Sequence, residues 1–255
     1  MKIYALRHGF SKLNEFIKNE PLQAKTYDRY NKTFLDCPLA EEGIQEALKI
    51  RDEINKLPLK IVLVSPLYRA LQTCKYILES HPNKLNINII VDPNHSEFLG
   101  NSSDFPGNSK EILQNIFDKT NLKVDFSLFE NLVQNYFYDF ISEPHKSLIQ
   151  KIIDKDSNKT NSLLDHVFSY GRPLLPERIE SKQDFISRIN KFGIKIKKQI
   201  HDNNINGKNI LLITHSQVLR TLMANQLKIK PWGTKEDFDV KNAFLYEIDL
   251  NTLMN

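Results

Sequence analysis

Residues 208–214 read Lys-Asn-Ile-Leu-Leu-Ile-Thr, an apolar run too short for a buried helix and suited to a strand covered on both faces. Such a strand needs neighbours, and the rest of the chain repeats the pattern. Residues 2–6, 60–64 and 88–91 are further short apolar runs, and 243–248 make a last one. Between these runs, segments of helical period cover residues 39–57, 66–79, 182–201 and 217–227. In the first of them Ile44, Leu48 and Ile54 share a face, and Pro58 stands just beyond its end. Strands alternating with helices predict an α/β fold, a three-layer α/β/α sandwich around a mostly parallel central sheet.

The alternation breaks between about residues 101 and 180. Phe126, Phe129, Leu132, Val133, Phe137 and Phe140 predict one helix there, and Leu148, Ile149, Ile152 and Ile153 predict another. We therefore expect a single domain over residues 1–255 with a helical insertion at about 101–180 that forms a cap. Aromatic residues at helical spacing read as core packing, not as a cofactor box.

Composition excludes several classes. Hydrophobic residues make up 40% of the 255 and charged ones 26%, as in an ordinary globular protein. The net charge of +4 comes without a basic block. Lys195, Lys197 and Lys198 fall in a helical pattern and read as a solvated face, so no nucleic-acid partner is expected. No apolar run approaches the ~20 residues of a membrane span. Arg7 follows too soon after the N-terminus for a secretion signal. These features predict a soluble, cytoplasmic protein without a membrane partner. Cys37 and Cys74 are expected to be reduced, unpaired and structural.

Four strand ends carry chemistry. Arg7-His8-Gly9 follows the first, and Gly9 would let a backbone approach closely. The stretch Ser65-Pro66-Leu67-Tyr68-Arg69-Ala70-Leu71-Gln72-Thr73 follows the second. Ser65 reads there as an N-cap and Pro66 as the first helical residue, giving a helix N-terminus whose amides, with Arg69, suit a phosphate. Glu97, in His95-Ser96-Glu97-Phe98-Leu99-Gly100, follows the third strand, and Thr214-His215-Ser216 ends the run at 208–214. Each motif alone has an ordinary reading: a turn, a capped helix, a loop carboxylate, a core histidine. Ligands of open parallel sheets bind at the carboxyl ends of the strands, and a coincidence of four such residues there points to anion chemistry. His, Asp and Glu do not recur at a metal-ligand spacing such as His-x-x-x-His, so no metal is expected.

These motifs resemble the histidine phosphatase superfamily, also called phosphoglycerate mutase-like. Ser11-x-x-Asn14 belongs to the same pattern, as does Pro38-Leu39 followed by Gly43, Gln45 and Ala47, with Gly43 and Gln45 one residue tight. The likeness spans roughly residues 2–100 and 207–247, and the middle segment has no counterpart. It implies a phosphatase that hydrolyses a phosphomonoester through a phosphohistidine on His8. By the same likeness Arg7, Arg69 and His215 surround the phosphoryl oxygens, and Glu97 is the proton donor and then the base for water. Ser11, Asn14 and Ser216 are the expected further substrate contacts. His215 is expected to be protonated, because phosphate charge raises its pKa. The substrate is expected to be a phosphorylated small molecule or a phosphoprotein, with no cofactor.

A cofactor-dependent phosphoglycerate mutase would share these residues. Such mutases typically carry Glu-Arg-His-Tyr-Gly at the acid position, whereas Glu97 is followed by Phe98-Leu99-Gly100. The missing Arg and His favour the phosphatase. A catalytically silent binding or scaffold domain is the third reading, disfavoured because all five residues are present. Ala40 stands where Thr or Ser often caps the second helix, and Phe10 where a polar residue is common. Arg29, Lys32, Arg172 and Arg178 could reach a distal anionic group, but solvated side chains are the ordinary reading.

Overall fold

The structure, a computed structural model, describes residues 1–29, 31–129, 139–143, 145–155, 179–202 and 208–253. Six strands form one sheet: β1 (Ile3–Arg7), β2 (Leu59–Val64), β3 (Asn88–Val91), β4 (Val124–Asp125), β5 (Asn209–Thr214) and β6 (Leu245–Ile248). Their spatial order is β4-β3-β2-β5-β1-β6. Every neighbouring pair is parallel except β1 and β6. Helices among the described residues are α1 (Lys12–Asn19), α2 (Pro21–Thr26), α3 (Glu41–Ile54), α4 (Tyr68–Leu78), α5 (Lys110–Asn115), α6 (His145–Lys155), α7 (Lys182–Asp202), α8 (Ser216–Leu222) and α9 (Ala224–Leu227).

The pleat sorts the core into two clusters. Leu6 of β1 joins Ala47 and Ile54 of α3 and Ala70, Leu71 and Ile77 of α4 on one side. Ile3 and Ala5 point the other way, into Phe185, Ile189, Phe192 and Ile196 of α7 and Val218 and Leu222 of α8. The α7 positions recur at a helical period, which is why this helix lies flat on the sheet. All of β5 is buried, as its unbroken apolar run requires. The α/β fold with covered sheet faces is as the alternation predicts. Both cysteines are free and buried. No described helix is long and apolar enough to cross a membrane.

Several elements differ from expectation. The helix expected over 39–57 runs from Glu41 to Ile54, and Ala40 at its N-cap makes no side-chain cap bond. The one expected over 217–227 divides at Met223, whose φ of −93° and ψ of 4° are not helical. α1 and α2 occupy a stretch to which the alternation of strands and helices assigns no element. Leu13, Phe16 and Ile17 of α1 do fall at helical spacing, but over only eight residues, and α2 buries none of its residues. Within the expected insertion, α5 and β4 add to the core layers: Leu113, Ile116, Phe117 and Phe126 pack into the cluster behind α3 and α4. The helix expected from Phe126 begins instead as a 3₁₀ turn over Ser127–Phe129. Its remaining positions at 130–138 lie outside the described residues, as do Arg172 and Arg178. α6 covers the second expected helix.

Candidate active site

β2, β5 and β1 are adjacent and parallel, so their carboxyl ends deliver Ser65, His215 and His8 to one edge of the sheet. The ladder continues one residue past each strand: His8 N donates to Thr214 O at 3.0 Å and Ser65 N to Ile213 O at 3.0 Å. Asn242 Nδ2 donates to His8 O at 2.8 Å from the other side. His8 thus sits on a backbone tied at both its N–H and its C=O.

The ring of His8 is nearly fully buried, with Nδ1 2.7 Å from Gly9 O. A carbonyl only accepts, so Nδ1 carries the proton and Nε2 the lone pair. Arg69 Nε donates to that lone pair at 3.1 Å. Burial first, then the charges of Arg69 and Arg7, push the His8 pKa well below the ordinary histidine value. His8 is therefore a neutral imidazole whose free nitrogen faces cations. Gly9 does permit a close approach, but to protein: a Cβ there would lie 2.4 Å from Gly43 O.

Arg69 is the second residue of α4, because the helix starts at Tyr68 and not at Pro66. Ser65, Pro66 and Leu67 stay outside the helix, with Leu67 extended at φ −65° and ψ 136°. The Tyr68 amide donates at 2.8 Å to Asp36 Oδ1, and Leu67 O accepts from Ala70 N and Leu71 N. Ser65 Oγ accepts from Leu67 N at 3.4 Å ahead of the helix, while the first helical amide is taken up by a carboxylate from a distant loop and is not free for an anion. The same Ser65 hydroxyl also meets His215 Nε2 at 2.7 Å. The Arg69 guanidinium is engaged all round. Nη1 donates to Ser103 O at 2.5 Å, and Nη2 to Asp104 Oδ1 at 3.0 Å while lying 3.3 Å from His215 Nδ1.

His215 is fully buried, its ring centroid 5.1 Å from that of His8. It stands behind Arg69 and does not line the cleft. Burial, then Arg69 and His8, push its pKa well below the ordinary histidine value. Arg7 donates from Nη1 to Val240 O at 2.8 Å, while its buried Nε has no hydrogen-bond partner. Such an orphaned cationic donor is a place for an anion.

Glu97 closes the arrangement from the loop after β3. Its Oε1 accepts from its neighbour Phe98 N at 2.9 Å, and its Oε2 from Ser216 Oγ and Gln217 N, both at 3.3 Å. Ser216 therefore touches the acid. Ser11 and Asn14 form the capping box of α1, the Ser11 hydroxyl and amide both donating to Asn14 Oδ1. Both also line the cleft, a cavity of about 380 Å³ whose walls include Arg7, His8, Arg69, Glu97 and Asp104. Arg29 lies on its rim together with Trp232.

Asp104 was missed in the sequence. It is buried, and burial pushes its carboxyl up to about 7, opposed by Arg69 and reinforced by Glu97. Nothing local signals it, because it lies in a 3₁₀ turn (Ser102–Asp104) without periodicity. Among the described residues no group of His, Cys, Asp and Glu could hold a metal ion.

A histidine with a fixed tautomer, two arginines and an acid thus meet at the carboxyl edge of the parallel strands, a setting suited to an anion. Residues 3–116 match the family model of the histidine phosphatase superfamily (branch 1). The likeness to that superfamily read from the motifs is thereby borne out. No curated protein matches the chain. Among solved structures, a putative alpha-ribazole-5'-P phosphatase from Escherichia coli aligns at 18% identity and a TM-score of 0.53, covering 98% of this chain and 90% of that one. The ecdysone phosphate phosphatase of Bombix mori, in complex with tungstate, aligns at 16% identity and a TM-score of 0.53, covering 96% and 87%. A phosphoglycerate mutase from Bacillus anthracis aligns at 16% identity and a TM-score of 0.51, covering 97% and 86%. At these identities the three share the fold with this chain.

Proposed function

We propose that the protein is a phosphatase that hydrolyses a phosphomonoester through a phosphohistidine on His8. The observation that carries this reading is the state of His8: Nδ1 is held by the Gly9 carbonyl, and Nε2 keeps a lone pair at the floor of a cleft lined by Arg7 and Arg69. A neutral, oriented imidazole is what nucleophilic attack on phosphorus requires.

In the first half-reaction Nε2 bonds to phosphorus as the ester P–O bond breaks, and Glu97 gives its proton to the leaving oxygen. Arg69 Nε must release Nε2 for this to happen, and it turns to a phosphoryl oxygen instead. Arg7 Nε supplies a second donor. As Arg69 turns to the phosphoryl group it uncovers His215, whose Nδ1 lies 3.3 Å from Arg69 Nη2. The negative charge of the phosphate then opposes the burial that keeps His215 neutral and makes it a further donor. In the second half-reaction Glu97 takes a proton from water, whose oxygen bonds to phosphorus while the Nε2–P bond breaks. Asn14 and Ser11 are proposed contacts on the leaving-group side. Ser216 acts through Glu97.

Two of the similar structures are named as phosphatases of small phosphorylated molecules, and we take the same substrate class for this chain. The segment at about 101–180 is proposed as a cap within a single domain, supported by Asn101, Ser103 and Asp104 lining the cleft. The test is a phosphatase screen over sugar phosphates, nucleotides, phosphoglycerates, inositol phosphates and phosphopeptides, with trapping of the phosphoenzyme. Wild type should turn over at least one small phosphomonoester and form a phosphohistidine that His8→Ala cannot form. Indistinguishable behaviour of the two proteins would end the enzyme reading. Isomerisation of 3-phosphoglycerate dependent on 2,3-bisphosphoglycerate would replace it with the mutase.

A further inference from the structure

Behind Glu97 lies a buried ion pair that the steps above do not use. Glu180, in the turn before α7, is 1% exposed, and Arg188 on α7 is 8% exposed. Arg188 donates from Nε and Nη2 to the two oxygens of Glu180, both at 2.9 Å, a bidentate pair. The same guanidinium reaches three carbonyls of the acid loop. Nη1 donates to Asn94 O and to Ser96 O at 3.0 Å each, and Nη2 to Glu97 O at 3.4 Å. Glu180 takes an amide two residues past Glu97, with Leu99 N donating to its Oε2 at 3.1 Å. The rings of Phe140 and Phe185 hold the guanidinium, their centroids 4.1 and 4.9 Å from its Cζ.

The pair thus grips the main chain on both sides of Glu97. A loop has no ladder of its own to fix it, and a planar fork bonded to several carbonyls supplies the missing rigidity. The Glu97 carboxylate is aimed only as well as this backbone is held. We propose that Arg188 and Glu180 are positioning residues for Glu97, setting the alignment of the proton donor with the leaving oxygen; this rests on the reading of Glu97 as that donor. The connection also runs outward. Ser181 N donates to Ser142 Oγ at 2.7 Å and Ser142 N to Ile179 O at 3.0 Å, so residues from the 101–180 segment share the clamp.

The test uses leaving-group dependence. Protonation matters for an alkyl phosphate, a poor leaving group, and little for 4-nitrophenyl phosphate. Arg188→Lys keeps the charge but cannot span the carbonyls. Because both esters share the phosphoenzyme that Glu97 then helps to hydrolyse, the readout is kcat/KM, which reports only the steps through P–O cleavage. It should fall about tenfold or more for an alkyl phosphate and change less than about twofold for 4-nitrophenyl phosphate. Competitive inhibition by inorganic phosphate should stay as in wild type. In a Glu97→Gln background the same substitution should cost nothing further, because the group it aims is gone. Glu180→Gln keeps an acceptor for Leu99 N and should give a weaker version of the same pattern, which serves if Arg188→Lys does not fold. Equal losses on both esters, or a full loss persisting in the Glu97→Gln background, would overturn the proposal. Should Glu97→Gln itself leave the alkyl phosphate rate unchanged, the donor assignment is wrong and the positioning role falls with it. An effect of Glu97→Gln without one from Arg188→Lys or Glu180→Gln would sink the positioning role alone.

Discussion

Arg69 Nε and an incoming phosphorus compete for the same lone pair on His8. The outcome depends on what else holds the guanidinium, and its charged partner is Asp104, at 3.0 Å. A carboxylate there also repels a phosphate dianion. Because burial brings Asp104 up to about 7, it is mostly ionised near pH 8 and mostly protonated near pH 5.5. Asp104→Asn should therefore tighten competitive inhibition by inorganic phosphate several-fold at the higher pH and leave it nearly unchanged at the lower one. A substitution effect equal at both pH values would show that the charge of Asp104 does not oppose the ligand. At this scale Arg7, His8, Arg69, Glu97 and His215 were legible because each follows a strand whose end the sequence marks. Asp104, Glu180 and Arg188 were not. Their importance comes from contacts across 35, 81 and 92 residues, which leave no local pattern.

Two elements cross with no side chain between them where the loop after β1 meets the first turn of α3. A Cβ on Gly43 would lie 2.1 Å from Phe10 O, a main-chain atom that cannot swing aside. Gly43→Ala should cost about 1–3 kcal/mol or more and lower the thermal midpoint by several degrees, with loss of activity because Phe10 adjoins the His8 loop. Differential scanning calorimetry with a parallel rate assay checks both. The 3₁₀ turn Pro93–His95 meets α7 through His95, stacked on Phe192 at 4.6 Å and 6°. Burial chiefly holds its pKa down to about 4. The unfolded chain binds a proton there at about 6.5, so as pH falls from about 6.5 to 4 the unfolded state gains protons that the native state refuses, and stability drops. Above that window the group has no effect. His95→Phe should shrink the loss of midpoint between pH 7.5 and 5 measured by chemical denaturation. Some loss should remain, because His8 and His215 are shifted the same way. The strands and the long helices could be read from period alone. The start of α4 could not, because its cap is Asp36, supplied from 32 residues upstream.

Over the whole molecule, the cationic edge of the sheet should couple ligand binding to stability. An oxyanion at a hundred times its dissociation constant adds about 2.7 kcal/mol to the native state, or about 5–10 °C in a protein of this size. Phosphate or tungstate should raise the midpoint in a thermal shift experiment, and Arg7→Gln should abolish the rise. A rise of the same size in the variant would locate the anion elsewhere. The order β2-β5-β1 has one more consequence, and it concerns time. The first residues of the sheet pair with a strand about two hundred positions later, as in the bond from Lys2 N to Asn209 Oδ1 across 207 residues. Helices can form early from local contacts, but closing so long a loop and pairing parallel strands is slow. His8 and His215 thus meet only after that closure. During refolding, helical signal should return before catalysis does, and a fragment that lacks β5 could rebuild several helices without ever assembling the site.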